Sequence, residues 1–324
     1  MRDYTNIIVI VILALVARLI YMRYTHTEED RELSEHYKLV DEYLIGTTQG
    51  DLVRSNQPII WLHVDREINA RNWSSFYSRN STKLNQPYLY ITMKSIVDKC
   101  SQSFNICLID DDAFRRLIPS WNIDLEQLSA PTKNTFRQLG LSQLLYHYGG
   151  LTVPASFLCM KDLRPMYDQG LEIHGAFAVE NVNHSITADE QLYLPDVGFM
   201  GCKKNNEVIK NMIDMQSTIG HTDFTDAPEF LGTSQMWCYN QYKGNRLTMI
   251  DGKYIGVKTM DGSPVSIDAL LGNIDVDFYP TMFGIYIPSE QILTRTKYQW
   301  FPRMSVNQVL QSNLLIASYA LGSY

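Results

Sequence analysis

Residues 137–163, RQLGLSQLLYHYGGLTVPASFLCMKDL, decide the fold of this chain. Apolar side chains recur at helical spacing in the first half, at Leu141, Leu144, Leu145 and Tyr148. This spacing predicts a helix with one buried face. Gly149 and Gly150 then end the helix, because glycine accepts the left-handed conformation that helix C-termini favour. Residues 151–158 follow as a short buried strand, which Pro154 interrupts.

This order of helix, Tyr-Gly-Gly turn, strand and charged exit resembles a glycosyltransferase family. It is the mannosyltransferase-like group whose sugar-binding region carries a DXD motif on a GT-A-type, Rossmann-like fold. Members read similarly to S-D-x-x-R-Y-x-x-L-Y-x-Y-G-G-I-Y-x-D-x-D-V, followed by a short exit like Lys-Pro-Leu. The matching residues here are Leu145, Tyr146, Tyr148, Gly149 and Gly150, and residues 159–163 fit the exit. The resemblance covers residues 58–240 and implies an α/β fold, a mixed sheet flanked by helices.

The charged positions of the family motif are neutral in this chain. Counted from the Gly-Gly pair, these positions are Gln138, Leu141, Pro154 and Ser156. Pro154 and Ser156 stand where the DXD aspartates belong, and a divalent cation that bridges a diphosphate needs anionic oxygen ligands. That cation also neutralises the departing nucleoside diphosphate. The resemblance therefore implies a vestigial nucleotide-sugar pocket around Gly149 and Gly150, with no metal or other cofactor.

Two functional hypotheses remain. We favour a pseudoenzyme, a membrane-anchored glycosyltransferase-like protein with a structural or protein-interaction role. Resemblance alone suggests one setting for it, a large DNA virus in which a membrane-anchored copy joins the inner membrane to the capsid. The alternative is an active hexosyltransferase that uses a nucleotide sugar with relocated carboxylates around Mn²⁺ or Mg²⁺, or with no metal.

Two carboxylate clusters are the weak alternatives for a relocated metal site. Asp110, Asp111 and Asp112 follow an apolar strand and precede a helix expected near Ala113, so they lie where α/β folds place ligands. The competing interpretation is helix capping, which we favour. Asp275 and Asp277 form a second D-x-D. We expect that pair to lie in a solvated loop.

Two further regions are candidates for binding. Polar residues precede the segment 196–204 and are expected on a surface loop, with a catalytic base as the alternative; they are Glu180, His184, Asp189 and Glu190. Near the C-terminus, basic and aromatic side chains alternate, at Arg295, Lys297, Tyr298, Trp300, Phe301 and Arg303. They suit a phosphate, a nucleotide base or an anionic membrane. We favour a segment that closes the core, followed by one amphipathic helix over residues 305–319.

Charge and cysteine content exclude some classes of function. The chain has 324 residues and a net charge of −7, which argues against nucleic acid as the main partner because phosphate neutralisation needs clustered Lys and Arg. Five cysteines are spread over the sequence without a CxxC pair or metal-ligand spacing. Such a set indicates reduced thiols rather than a disulfide framework.

Residues 7–22 are apolar except for Arg18 and predict a single-pass membrane anchor. Sixteen helical residues span roughly 24 Å, short of the roughly 30 Å hydrocarbon core, and flanking Tyr and Arg side chains can reach the headgroups. We expect an anchor at 1–24, a stalk and linker at 25–57, and a glycosyltransferase-like domain at 58–324 whose aromatic segment and final helix occupy 280–324. The sequence leaves the orientation open: the domain is luminal on a Golgi- or ER-type membrane, or it is cytoplasmic. A virion inner membrane is the third setting.

Overall fold

The computed structural model describes residues 17–18, 57–64, 86–119, 121–222 and 232–323. Every element below belongs to the unit formed by residues 43–324. The predicted anchor at 7–22 and stalk at 25–57 lie outside the described residues, except for the helical pair Ala17 and Arg18 and for Gln57. In the part of the chain that is described, no helix is both long and apolar enough to span a bilayer.

Six strands of the described chain form the central sheet: β1 (Ile59–His63), β2 (Asn105–Ile109), β3 (Gly150–Thr152), β5 (Ala176–Val182), β6 (Tyr193–Cys202) and β7 (Thr248–Ile250). Their order is β2-β1-β3-β6-β5-β7. β1 runs parallel to β2 and β3, and β5 runs parallel to β7, whereas β6 is antiparallel to both of its neighbours. The expected mixed α/β sheet is therefore present. A separate two-stranded sheet pairs β4 (Phe157–Cys159) with β8 (Gly284–Tyr286).

The α-helices in chain order are α1 (Tyr88–Cys100), α2 (Asp111–Leu117), α3 (Ala130–Tyr148), α4 (Arg164–Leu171), α5 (Glu207–Thr222), α6 (Thr233–Lys243), α7 (Ile267–Leu270), α8 (Ser289–Thr294), α9 (Val306–Leu310) and α10 (Leu315–Ser323). α3 packs against α5 and β6, α4 packs against β5 and β7, and α1 packs against β4. The helices thus bury the sheet and cover the small β4–β8 pair.

The Tyr-Gly-Gly turn joins α3 to the sheet, and its glycines are required by geometry. Gly149 ends α3 with φ of 74°, and its carbonyl accepts a 3.0 Å hydrogen bond from the buried Trp61 indole in β1. Gly150 has φ of 102° and opens β3. A Cβ at Gly150 would lie 2.2 Å from the Ile59 carbonyl oxygen, so only glycine allows β3 to approach β1. The predicted helix stop is confirmed.

Two sequence predictions about elements need correction. The strand expected over 151–158 is two strands in different sheets, with Pro154 in the turn between β3 and β4. The single helix expected over 305–319 is wrong, because the chain forms α9 and α10 instead. Ser312 separates them: its N–H and Oγ both bond the Val309 carbonyl in a tight turn, and such local bonds compete with continued helix.

Candidate functional site

The carboxyl ends of β1, β2 and β3 meet at one edge of the sheet, because β1 is parallel to both of the others. His63 is the last residue of β1, Asp110 follows β2, and the turn at residues 153–156 follows β3. Ligands of open α/β sheets bind at this edge. The edge therefore holds both the positions at which the resemblance expects the DXD aspartates, Pro154 and Ser156, and the first of the two alternative clusters, Asp110–Asp112.

Asp111 is the central charge at this edge. One of its oxygens lies 2.9 Å from His63 Nε2 and 2.8 Å from Arg137 Nε, and the other lies 2.6 Å from Arg137 Nη2. The Arg137 guanidinium thus binds the carboxylate in a fork, and the His63 ring stacks on Phe114 with 6° between the planes. Both carboxylate oxygens are occupied by groups of the protein itself.

The surroundings of Asp111 favour its charged form. Burial alone would raise the pKa of this carboxyl, but the hydrogen bonds and positive charges of His63 and Arg137 outweigh burial and hold the pKa well below its usual range. The arrangement ties the start of α2 to β1 and α3. His63, Asp111 and Arg137 were not candidates from the sequence as a cluster. The feature of the sequence that could have indicated the cluster is that polar residues stand at the carboxyl ends of two neighbouring parallel strands.

The other two aspartates of this cluster differ from Asp111. Asp110 Oδ1 accepts a 3.1 Å hydrogen bond from the Ala113 N–H and caps α2, so the capping interpretation is confirmed for Asp110. Asp112 is exposed in the first turn of α2. The helix begins at Asp111, two residues earlier than the expected start near Ala113.

A pocket opens beside the Asp111 cluster. Its lining is rich in carboxylates and includes one cation: Asp111, Asp112, Arg115, Trp121, Ile123, Asp124, Leu125 and Glu126. Asp124 Oδ1 accepts the Glu126 N–H and so caps the short 3₁₀ turn at Leu125–Gln127. Among the described residues, no three His, Cys, Asp or Glu side chains are grouped so that they could hold a metal ion. The pocket wall thus carries more carboxylates than cations.

The turn after β3 is bound by neighbouring elements. The Ala155 carbonyl accepts a 2.6 Å hydrogen bond from Thr92 Oγ1 of α1, and the Ser156 carbonyl accepts the Ile287 N–H at 3.3 Å, just beyond β8. Ser156 is 3% exposed, and Pro154 is half-buried. The positions expected for the DXD aspartates thus carry no carboxylate, and one of them is buried.

The helix positions that the family fills with Asp and Arg lie on α3. Gln138 is half-buried, and its carbonyl accepts the Ser142 hydroxyl at 2.9 Å. Leu141 is half-buried and packs against the apolar cluster between the sheet and its helices. Leu141 therefore contributes packing at the position where the resemblance expects an arginine. Gly149 and Gly150 are buried at the β1–β3 junction, where they allow the close approach of the backbone segments.

The second D-x-D lies apart from secondary structure. Asp275 and Asp277 are exposed in the segment between α7 and β8, in agreement with the expected solvated loop. The Asp277 carbonyl accepts the Met260 N–H at 2.9 Å, which fixes the backbone but leaves the side chain at the surface.

Glu180 corrects the expectation of a surface loop. It lies in β5, is 7% exposed, and pairs with Lys258 while accepting the Gly252 N–H at 3.1 Å. Lys258 also lies 4.0 Å from the centre of the Tyr193 ring. The carboxylate therefore ties β5 to the segment that follows β7. His184, Asp189 and Glu190 are exposed between those strands, as expected.

Asp196 of β6 is a half-buried residue inside the segment 196–204. Its oxygens accept the Gly198 N–H at 2.7 Å and the Asn181 amide at 2.8 Å. Burial raises the pKa of Asp196 in spite of these hydrogen bonds. The contacts bridge β6 and β5 beside the register shift between Ala178 and Val179, which indicates a structural role.

The C-terminal aromatic segment closes the core, as favoured from the sequence. Phe301 and Tyr298 are buried, and the Phe301 ring lies 4.7 Å from that of Tyr88 in α1. Trp300 is 44% exposed. The basic side chains of the segment, Arg295, Lys297 and Arg303, are exposed. Lys297 Nζ lies 2.5 Å from Asp268, so part of this positive charge is compensated at the surface.

No protein-family profile matches the chain, and no curated protein matches it significantly. Among solved structures, one similar chain is the PaToxG glycosyltransferase, at 12% identity and a TM-score of 0.32; the likeness covers 68% of this chain and 81% of that one. Another is the apo-form glycosyltransferase GlyE of Streptococcus pneumoniae TIGR4, at 13% identity and a TM-score of 0.35, covering 62% of this chain and 46% of that one. A likeness this loose does not carry those proteins' activities over to this chain.

Proposed function

We propose that the described domain is a glycosyltransferase-like scaffold without working donor chemistry, which serves as a structural or protein-interaction module on a membrane. The observation that carries the proposal is the turn after β3. Pro154 and Ser156 occupy the positions that the resemblance assigns to the DXD aspartates, and the turn is bound by α1 and by the chain beyond β8. Proline has no side-chain ligand, and a neutral serine is a poor one for a hard cation.

The charges at the same edge of the sheet support this proposal. Asp111 is engaged by Arg137 and His63 through both oxygens, so using it as a metal ligand would break a partly buried ion pair. The neighbouring pocket contains more carboxylates than cations. A nucleoside diphosphate would enter a field of its own sign, and no carboxylate pair at the β3 turn would hold the metal that screens it.

Calorimetric titration tests the proposal. UDP- and GDP-linked hexoses are titrated into the wild-type chain with and without Mn²⁺. We expect no heat that depends on the metal, because neutral residues occupy the DXD positions. Asp112→Asn is the informative variant, since Asp112 lines the pocket, and Asp214→Asn, at an exposed position of α5 outside every candidate site, is its matched control.

The result that would overturn the proposal is metal-dependent binding. If Asp112→Asn abolishes that binding or any donor hydrolysis while Asp214→Asn does not, the chain is a hexosyltransferase with relocated ligands. Wild-type protein that gives a cooperative unfolding transition and shows neither binding nor hydrolysis supports the scaffold. The membrane and partner parts of the proposal rest on the sequence of residues 7–22 and have their own test in the Discussion.

A further inference from the structure

Two cysteines that are remote in sequence lie in contact inside the domain. Cys100 is the last residue of α1 and Cys159 is the last residue of β4, and their sulfur atoms are 3.8 Å apart. Both side chains have no exposed surface. The other cysteines have different neighbours: Cys238 Sγ lies 3.7 Å from the Met212 sulfur, and Cys202 Sγ lies 3.2 Å from the Leu145 carbonyl.

Side-chain hydrogen bonds fix the two elements that carry this pair. Ser95 Oγ of α1 accepts the Cys159 N–H at 2.9 Å, and Thr92 Oγ1 donates to the Ala155 carbonyl at 2.6 Å. Ser103, just after α1, donates to Asp162, just after β4, at 2.6 Å. The helix end and the strand are therefore held together over several residues. A disulfide bond is about 2 Å long, so the sulfurs need to approach by a little under 2 Å.

We propose that Cys100 and Cys159 form a disulfide when the chain folds where glutathione disulfide or a protein disulfide is the oxidant. One thiolate attacks the external disulfide, forms a mixed disulfide and releases one thiol; the second thiolate then attacks the protein sulfur and releases the other. In sum, two protein thiols and one external disulfide give one protein disulfide and two external thiols, with two electrons transferred.

Burial determines when this reaction takes place. Burial is the main cause that raises the pKa of the Cys159 thiol, and the neighbouring Cys100 raises it further. Only the thiolate form of a cysteine reacts with a disulfide. The exchange therefore occurs before α1 packs on β4, during folding. Once the domain has folded in the reduced state, the pair reacts slowly with external disulfides. The oxidation state of the Cys100–Cys159 pair therefore depends on the compartment in which the chain folds: the pair is oxidised in a lumen and reduced in the cytosol.

In the test, the full chain is refolded from denaturant in a glutathione redox buffer. Free thiols are then blocked with N-ethylmaleimide, and the peptides are mapped without reduction. We expect a peptide pair that joins Cys100 to Cys159, with Cys107, Cys202 and Cys238 alkylated. The cross-link closes a long loop, since the cysteines are 59 positions apart. The oxidised form should therefore melt roughly 5–10 °C above the reduced form.

Matched variants complete the experiment. Cys100→Ser and Cys159→Ser should each lose the joined peptide and the rise in melting temperature, whereas Cys107→Ser, another buried cysteine, should keep both. Five alkylated cysteines in the refolded wild type would overturn the proposal, and so would joined peptides that contain Cys107, Cys202 or Cys238. If the serine variants at 100 or 159 fail to fold, the peptide map and melting temperatures of wild type and Cys107→Ser decide the question.

Discussion

Replacing Gly150 by alanine tests the close approach of β3 to β1, on which the edge of the sheet depends. Gly150 opens β3 with φ of 102°, a conformation that L-residues rarely adopt. The added Cβ would stand 2.2 Å from the carbonyl oxygen and 3.1 Å from the carbonyl carbon of Ile59. These atoms belong to the backbone of a paired strand, so no side-chain rotation relieves the contact.

The expected loss follows from two contributions. Forcing alanine to a positive φ costs about 1–3 kcal/mol. Removing the overlap requires β3 to move away from β1 by about 1 Å, and distortions of this kind cost about 1–3 kcal/mol. The free energy of unfolding should therefore fall by roughly 2–6 kcal/mol, out of the roughly 5–15 kcal/mol of a typical domain. At about 2–4 °C per kcal/mol, the melting temperature should fall by about 10 °C.

Urea denaturation followed by circular dichroism measures this change, and Gly262→Ala is the matched control. Gly262 also has a positive φ, of 86°, but a Cβ there meets no atom within 4 Å. In the control, the free energy of unfolding should fall by about 1–2 kcal/mol, from backbone strain alone. Equal losses in the two variants would refute the reasoning, because they would show that contact with β1 adds nothing.

The remaining predictions concern the Asp111 cluster and the membrane segment. Asp111→Asn should lower the free energy of unfolding at pH 7 by about 2–3 kcal/mol, because it removes the carboxylate charge that binds Arg137 and His63. The folded pKa of Asp111 lies below its unfolded value, so this stabilisation is present above about pH 4 and is lost as the pH falls below it. Urea titrations at pH 7, 4 and 2.5 should therefore show a smaller acid-induced loss in the variant, and parallel losses would contradict the prediction. For residues 7–22, carbonate extraction should leave the full-length chain in the membrane pellet, and complete release into the supernatant would exclude the anchor.

Features set by neighbouring residues could be predicted from the sequence. The buried strand at 58–64 appears as β1, and the helix that ends at Gly149 appears as α3. Asp110 caps α2, as its position before a helix indicated. These predictions succeeded because side-chain periodicity, glycine conformation and capping act within a few residues. The same local rules failed for residues 305–319, where the turn at Ser312 divides the expected helix.

The contacts that define the candidate site were decided by tertiary structure. Asp111 meets His63 and Arg137 across 48 and 26 positions, Glu180 meets Lys258 across 78, and Cys100 meets Cys159 across 59. No local pattern marks these partners, because the order of the strands and the packing of helices and loops on them place segments so remote in sequence beside one another. The sequence by itself determined that positions 154 and 156, where the resemblance expects two aspartates, carry Pro and Ser. The fold added that Ser156 is buried, since β4 leaves the central sheet to pair with β8.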